Sequence, residues 1–201
     1  MLFLRETGEE GVMNIGFIGY RNSGKSTVSK LLKKAVKRKV INTDQKIRDY
    51  CKMDIPLIID KYGWDIFRFI EGVVLENCLS LNEVILDLGG GVILNKKAME
   101  AIHKNTFLIY LDCSTDSLIK RARENYYRPA LTNLDLDEEI RTVAEQRRPV
   151  YSRYADLTVN TDLMSAEECR AVILNSLEGM NVLEGKEKIY SGEGILCVSS
   201  F

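Results

Sequence analysis

Apolar residues in this chain fall into short runs separated by stretches where they recur every three or four positions. The runs are Ile15-Gly16-Phe17-Ile18, Val40-Ile41-Asn42, Val84-Ile85-Leu86, Phe107-Leu108-Ile109-Tyr110-Leu111 and Leu157-Thr158-Val159. The longer ones show little polar alternation, as strands buried on both faces do. Between them the period is helical. Val28, Leu31, Leu32, Ala35 and Val36 share one face, and Ile66, Phe67, Ile70, Val73, Val74 and Leu81 mark a long helix across 65–81. Thr43-Asp44 reads as a helix start, and Pro56 can open another at its first turn. Further helices are expected around 96–103, 115–123 and 137–151, and Ser165 with Glu168 forms a capping-box pattern before a last one. Residues 124–135 are polar and turn-like. Strands alternating with helices predict an α/β fold with a mainly parallel sheet. In such a fold ligands gather at the carboxyl ends of the strands.

Composition narrows the class. The chain has 201 residues, one domain's worth, and 45% hydrophobic residues, enough for a core. Lys and Arg number 28 against 29 Asp and Glu, a formal net charge of -1. That balance gives no support for nucleic-acid binding. The basic stretch Lys33–Lys39 reads as a solvated helix face. Five scattered cysteines with no C-x-x-C pair, and one histidine, make no zinc pattern. They read as reduced thiols in a cytoplasmic protein. No apolar run approaches the roughly 18 residues of a membrane span, and the charged start does not fit a secretory signal. Residues 1–12 and 179–201 read as extensions around a single domain at 13–178.

The chemistry begins after the first strand. Gly19-Tyr20-Arg21-Asn22-Ser23-Gly24-Lys25-Ser26-Thr27 fits G-x-x-x-x-G-K-[ST], between a strand and a helix as that phosphate-binding loop requires. Glycines let successive N–H groups converge on an anion, and the helix N-terminus adds partial positive charge. Lys25 can reach the β- and γ-phosphates, and Ser26 can hold Mg²⁺. Four further patterns follow in order: Asn42-Thr43-Asp44, Phe67-Arg68-Phe69-Ile70-Glu71, Gly89-Gly90-Gly91, and Arg128-Pro129-Ala130-Leu131 with Arg147-Arg148-Pro149-Val150-Tyr151 behind it.

As an ordered set over about residues 13–177, these patterns resemble the shikimate kinase family. The resemblance implies a fold like that of nucleoside monophosphate kinases, three-layered, with a five-stranded parallel sheet, a helical acceptor region and a mobile lid about 124–135. It implies a monomer that moves the γ-phosphoryl group of ATP to the 3-hydroxyl of shikimate, a step toward chorismate and the aromatic amino acids. By the resemblance, Arg68 and Arg147 hold the substrate carboxylate beside the Gly90-Gly91 backbone. A guanidinium fork suits that task. Asp44 binds hydroxyls and can take the proton of the attacking one. Glu71, three residues after Arg68, orients it or a hydroxyl. Arg128 is the lid arginine that meets the transferring group. Gly19, Asn22, Ser23, Gly24, Lys25, Ser26 and Thr27 cradle the phosphates. Arg121 lies near the adenine, and Thr161-Asp162 falls where the family covers the base. Tyr126 and Tyr127 serve either nucleotide contact or packing.

Without the resemblance, Arg68 and Glu71 also fit an exposed helix pair, and Asp44 a helix cap. Arg148 is expected to face solvent, and His103 is given no catalytic role. One position departs from the family: Asn42 stands where an aspartate usually acts on Mg²⁺, often through water. Asparagine brings no negative charge. Asp87, at the end of the third strand, is the candidate replacement, since P-loop enzymes use a strand-end aspartate there. Two other readings remain: a kinase for another sugar acid such as gluconate, or a nucleotide-binding regulator with weak catalysis.

Overall fold

The structure is a computed structural model that describes residues 13–124, 131–132 and 134–183. Five strands form one parallel sheet: β1 (Asn14–Ile18), β2 (Lys39–Asn42), β3 (Val84–Asp87), β4 (Thr106–Asp112) and β5 (Leu157–Asn160), in the spatial order β2-β3-β1-β4-β5. All five apolar runs are strands: the inner three, β1, β3 and β4, are buried almost throughout, as a sheet covered on both faces requires, while the edge strands β2 and β5 bury only Ile41 and Val159. The helices among the described residues are α1 (Lys25–Val36), α2 (Thr43–Cys51), α3 (Ile55–Leu79), α4 (Lys96–Asn105), α5 (Thr115–Glu124), α6 (Leu136–Tyr154) and α7 (Ala166–Gly179).

Two cores sandwich the sheet, and strand alternation decides which residue serves which. Ile15, Phe17, Ile109 and Leu111 pack with Leu32 of α1 and Ile173 of α7 on one face. Ile18, Leu86, Leu108 and Tyr110 pack with residues of α3 to α6 on the other. The expected capping box at Ser165 and Glu168 starts α7. Asn42, rather than Asp44, caps α2: its side chain accepts from the Gln45 N–H at 2.7 Å. That leaves the Asp44 carboxylate available to the site.

The helices expected at Pro56 and at 65–81 run as one element interrupted at Gly63, whose φ of 79° and ψ of 171° are not helical. Such a conformation is open almost only to glycine. Along its second half Phe67 and Val74 are buried as expected, whereas Ile66 is exposed. Of the expected C-terminal extension, residues 179–183 are described, and Val182 is buried in the α1–α7 core. Residues 1–12 and 184–201 lie outside the described residues.

Candidate active site

The parallel register sets the site. Asn42 pairs with Asp87 across β2 and β3, and Phe17 pairs with Asp87 across β1 and β3. The carboxyl ends of three neighbouring strands therefore converge beside the loop that leaves β1. In that loop Gly19 and Gly24 have φ of 143° and 98°, values that favour glycine. A Cβ on Gly19 would also lie 2.6 Å from the Leu111 carbonyl oxygen. Lys25 is buried and folds back, its Nζ donating to the carbonyls of Gly19 at 2.7 Å and Tyr20 at 2.8 Å. That bends the ammonium over the loop's concave side, where a phosphate would sit.

Ser26, Asn42 and Asp87 meet at one oxygen. The Ser26 hydroxyl and the Asn42 amide both donate to Asp87 Oδ2, each at 2.6 Å. Asp87 is only 3% exposed. Ser26 and Asp87 offer hard oxygens, the chemistry Mg²⁺ prefers, while Asn42 turns its amide nitrogen to the carboxylate. Among the described residues no group of three His, Cys, Asp or Glu side chains forms a metal cage.

Two cavities flank this point. One, of about 730 Å³, is lined by the phosphate loop from Asn22 to Val28 and by Arg121 and Thr161. Arg121 spans it, donating to the Thr161 hydroxyl at 3.0 Å and the Thr161 carbonyl at 2.8 Å. It thereby ties α5 to the loop after β5, which the Asp162 carboxylate also pins through the Ser114 N–H at 2.7 Å. The other cavity, of about 470 Å³, lies between α2, α3 and α6 and is lined by Arg68, Glu71 and Arg147. Ser26, Asn42, Asp44, Asp87 and Gly90 line both cavities. Anything bound in one abuts what is bound in the other at those residues.

In the second cavity Arg68 Nη1 donates to Glu71 at 2.6 Å. Glu71 is 3% exposed, so the pair is not the loose surface pair that spacing alone also allowed. Burial pushes the Glu71 carboxyl above its usual range, against the neighbouring Arg68 guanidinium, which pulls it down. The Arg68 guanidinium lies 5.4 Å from the Trp64 ring centre. Arg147 Nη1 donates to the Gly90 carbonyl at 3.2 Å, and the Tyr151 hydroxyl donates to it at 2.5 Å.

The triple glycine leaves room for neighbours on three sides. A Cβ on Gly89 would lie 2.6 Å from Asp44 Oδ1, one on Gly90 3.3 Å from the Arg21 nitrogen, and one on Gly91 2.3 Å from Arg68 Nη1. Each glycine admits a different element of the site.

Within the described chain every candidate residue except Asp162 lines one of the two cavities or belongs to the phosphate loop between them. Arg128, Tyr126 and Tyr127 lie outside the described residues. Arg148 departs from expectation: it is half-buried, forms an ion pair with Asp112 and donates to the Cys113 carbonyl at 3.2 Å. Its partners stand 36 and 35 positions away, so no local pattern marks them. His103 packs edge-on against Tyr154 at 5.8 Å, away from the site. Sequence reasoning missed Trp64 beside Arg68, and Thr43, whose hydroxyl accepts from the Gly89 N–H at 2.9 Å. It also missed Glu139, a buried carboxylate bound to Arg21.

Comparison with known proteins bears on this geometry. Residues 21–178 match the shikimate kinase family model. A shikimate kinase of Pseudomonas putida is 32% identical over 170 residues, 85% of this chain and 97% of that protein. The solved shikimate kinase of Acinetobacter baumannii, in complex with shikimate, superposes with a TM-score of 0.80 at 27% identity, covering 85% of this chain and 96% of that one. A gluconokinase from Sinorhizobium meliloti reaches a TM-score of 0.54 at 14% identity, covering 86% and 95%, which is a likeness of fold alone.

Proposed function

The chain belongs to the shikimate kinase family, and on that premise we propose that it transfers the γ-phosphoryl group of ATP to a hydroxyl of shikimate. The observation that carries this reading is the junction of the two cavities. A phosphate loop opens one, an arginine pair with a buried glutamate lines the other, and five residues border both.

ATP occupies the larger cavity, its phosphates on the loop amides of residues 22–27 and on Lys25. Arg121 and the Thr161-Asp162 loop flank the base. Shikimate occupies the smaller cavity. Its carboxylate takes the forks of Arg68 and Arg147, and Glu71 holds Arg68 in place. Asp44 borders both cavities, where it binds the attacking hydroxyl and accepts its proton. Arg128 neutralises charge on the equatorial oxygens of the transferring group. Ser26 and Asp87 are the groups that would hold Mg²⁺, with Asn42 steering the Asp87 carboxylate. When bound there, Mg²⁺ would supply charge neutralisation for the phosphates. Excluding water matters because an activated phosphoryl group otherwise hydrolyses. We infer a cytoplasmic monomer. Supporting the compartment, Cys51, Cys78, Cys113 and Cys169 are free thiols, and no helix among the described residues is long and apolar enough to cross a membrane.

A coupled assay of ADP release with ATP plus shikimate, gluconate or no acceptor tests the reading. Turnover is expected with shikimate only. In the Arg68→Lys variant, which loses the fork, the KM for shikimate should rise roughly thirtyfold, the equivalent of about 2 kcal/mol of charge-assisted hydrogen bonding. The KM for ATP should stay put. Equal turnover with gluconate would move the acceptor assignment to the sugar-acid kinases.

A further inference from the structure

Outside the reacting groups, one buried carboxylate binds two separate parts of the site. Glu139 of α6 is 1% exposed. Its Oε1 pairs with the Arg21 guanidinium of the phosphate loop. Its Oε2 accepts from the Leu131 N–H at 2.5 Å, the Thr132 N–H at 2.8 Å and the Thr132 hydroxyl at 3.3 Å.

Each partner adjoins working parts. Arg21 is 8% exposed and follows Tyr20, whose carbonyl accepts from Lys25. Its backbone nitrogen lies 3.3 Å from where a Cβ on Gly90 would go, as does the Gly19 carbonyl oxygen. Leu131 lines the acceptor cavity. Glu139 itself stands two turns before Arg147, on the same helix. One carboxylate thus joins the donor loop, the acceptor wall and the helix that carries an acceptor arginine.

Stability alone does not account for this choice. Burying a guanidinium and a carboxylate costs desolvation, and apolar residues of similar volume fill such a place as well or better. What a charged, multiply bonded pair adds is fixed relative geometry. We propose that Glu139 is a positioning residue that locks the phosphate-binding loop to the acceptor wall, holding donor and acceptor in one register. The inference rests on the phosphoryl-transfer reading above. It predicts a loss in kcat, since transfer needs the reacting atoms aligned within a fraction of an ångström.

Two variants test it. Glu139→Gln keeps an acceptor for the Leu131 and Thr132 amides and removes the charge that Arg21 faces. The double variant Arg21→Met/Glu139→Gln removes both charges and keeps an acceptor for the Leu131 and Thr132 amides, so that the fold survives even if the single change unfolds the chain. The measurements are thermal midpoint, affinity for ADP and for shikimate each alone, kcat, and amide exchange at Leu131, Thr132 and residues 19–25. The double variant should melt at or above the wild-type temperature and bind each ligand alone as wild type does. Its kcat should fall by about ten- to hundredfold, with faster exchange at both the loop and residues 131–132. Wild-type kcat in the double variant overturns the proposal. So does a loss of kcat that simply follows loss of ADP or shikimate binding. If the wild-type chain shows no shikimate-dependent turnover, the functional reading falls, and the exchange result alone decides for or against Glu139: coupled loosening supports it, unchanged exchange refutes it.

Discussion

Asp87 Oδ2 accepts hydrogen bonds from Ser26 and Asn42 at the same 2.6 Å, and that geometry separates the roles of the two neighbours. The carboxylate supplies the charge, while the Asn42 amide can only steer it. Asp87→Asn should therefore weaken Mg²⁺ dependence by about ten- to hundredfold, read as the Mg²⁺ concentration for half-maximal activity and as Mn²⁺ binding in the ADP complex. Asn42→Ala should cost much less, and equal mild effects from both would refute the assignment. Glu71 offers a second test, through pH. Burial raises its pKa in the folded chain, so the ionised form is the disfavoured one. Its contribution to stability is fully present below the ordinary glutamate pKa and is lost as pH rises through the folded-state value. Glu71→Gln keeps a partner for Arg68 without the buried charge. The variant should gain stability relative to wild type as pH is raised from about 4 to about 7, measured by urea denaturation at each pH. A stability difference that does not change with pH would contradict this. Arg68 and Glu71 were singled out through the family resemblance, since their spacing alone also fits an exposed helix pair, and Asp87 through its place at a strand end. Glu139 was not, because its partners stand 118, 8 and 7 positions away and an acidic residue in the first turn of a helix is ordinary.

Helix α3 shows how an element can be read correctly in parts and still be joined in a way the pattern hides. Pro56 and the 65–81 periodicity each mark a helix, and both are present. The join at Gly63 turns the chain so that Ile55, Pro56 and Ile59 from one half and Phe67, Arg68 and Glu71 from the other line the same cavity. Apolar spacing reports which face is buried but carries no information about a bend. Gly63 has nothing within 4 Å of where a Cβ would go, so Gly63→Ala carries backbone strain alone. The expected cost is about 1–3 kcal/mol, read from chemical denaturation, with a higher KM for the acceptor as the two halves shift. Unchanged stability would mean that the bend is not held by that conformation. Helix α6 makes the complementary point. Arg147 and Arg148 are adjacent, so they face different directions around the helix. Arg147 turns to the acceptor cavity and Arg148 to the end of β4. The family resemblance assigned Arg147 to the site, and what the sequence hid was the Arg148 pair with Asp112.

At the scale of the whole molecule, the sheet order decides everything downstream. With β1 between β3 and β4, the phosphate loop, Asn42 and Asp87 meet at the carboxyl end of the sheet, beside the acceptor cavity. The alternation of apolar runs made the α/β class and all five strands legible. The order β2-β3-β1-β4-β5 is not in the periodicity, because buried strands read alike. Likeness to a family whose motifs the chain shares implied five parallel strands, and the structure supplies their order. The central claim is that two cavities meeting at Ser26, Asp44 and Asp87 make a donor and an acceptor site for a single transfer. Phosphorus NMR of the product mixture, with the wild-type chain, Mg²⁺, ATP and shikimate, tests it most directly. The expected result is one phosphate monoester of shikimate formed in step with ADP, and neither product when shikimate is omitted. ADP and inorganic phosphate appearing equally with and without shikimate would contradict it.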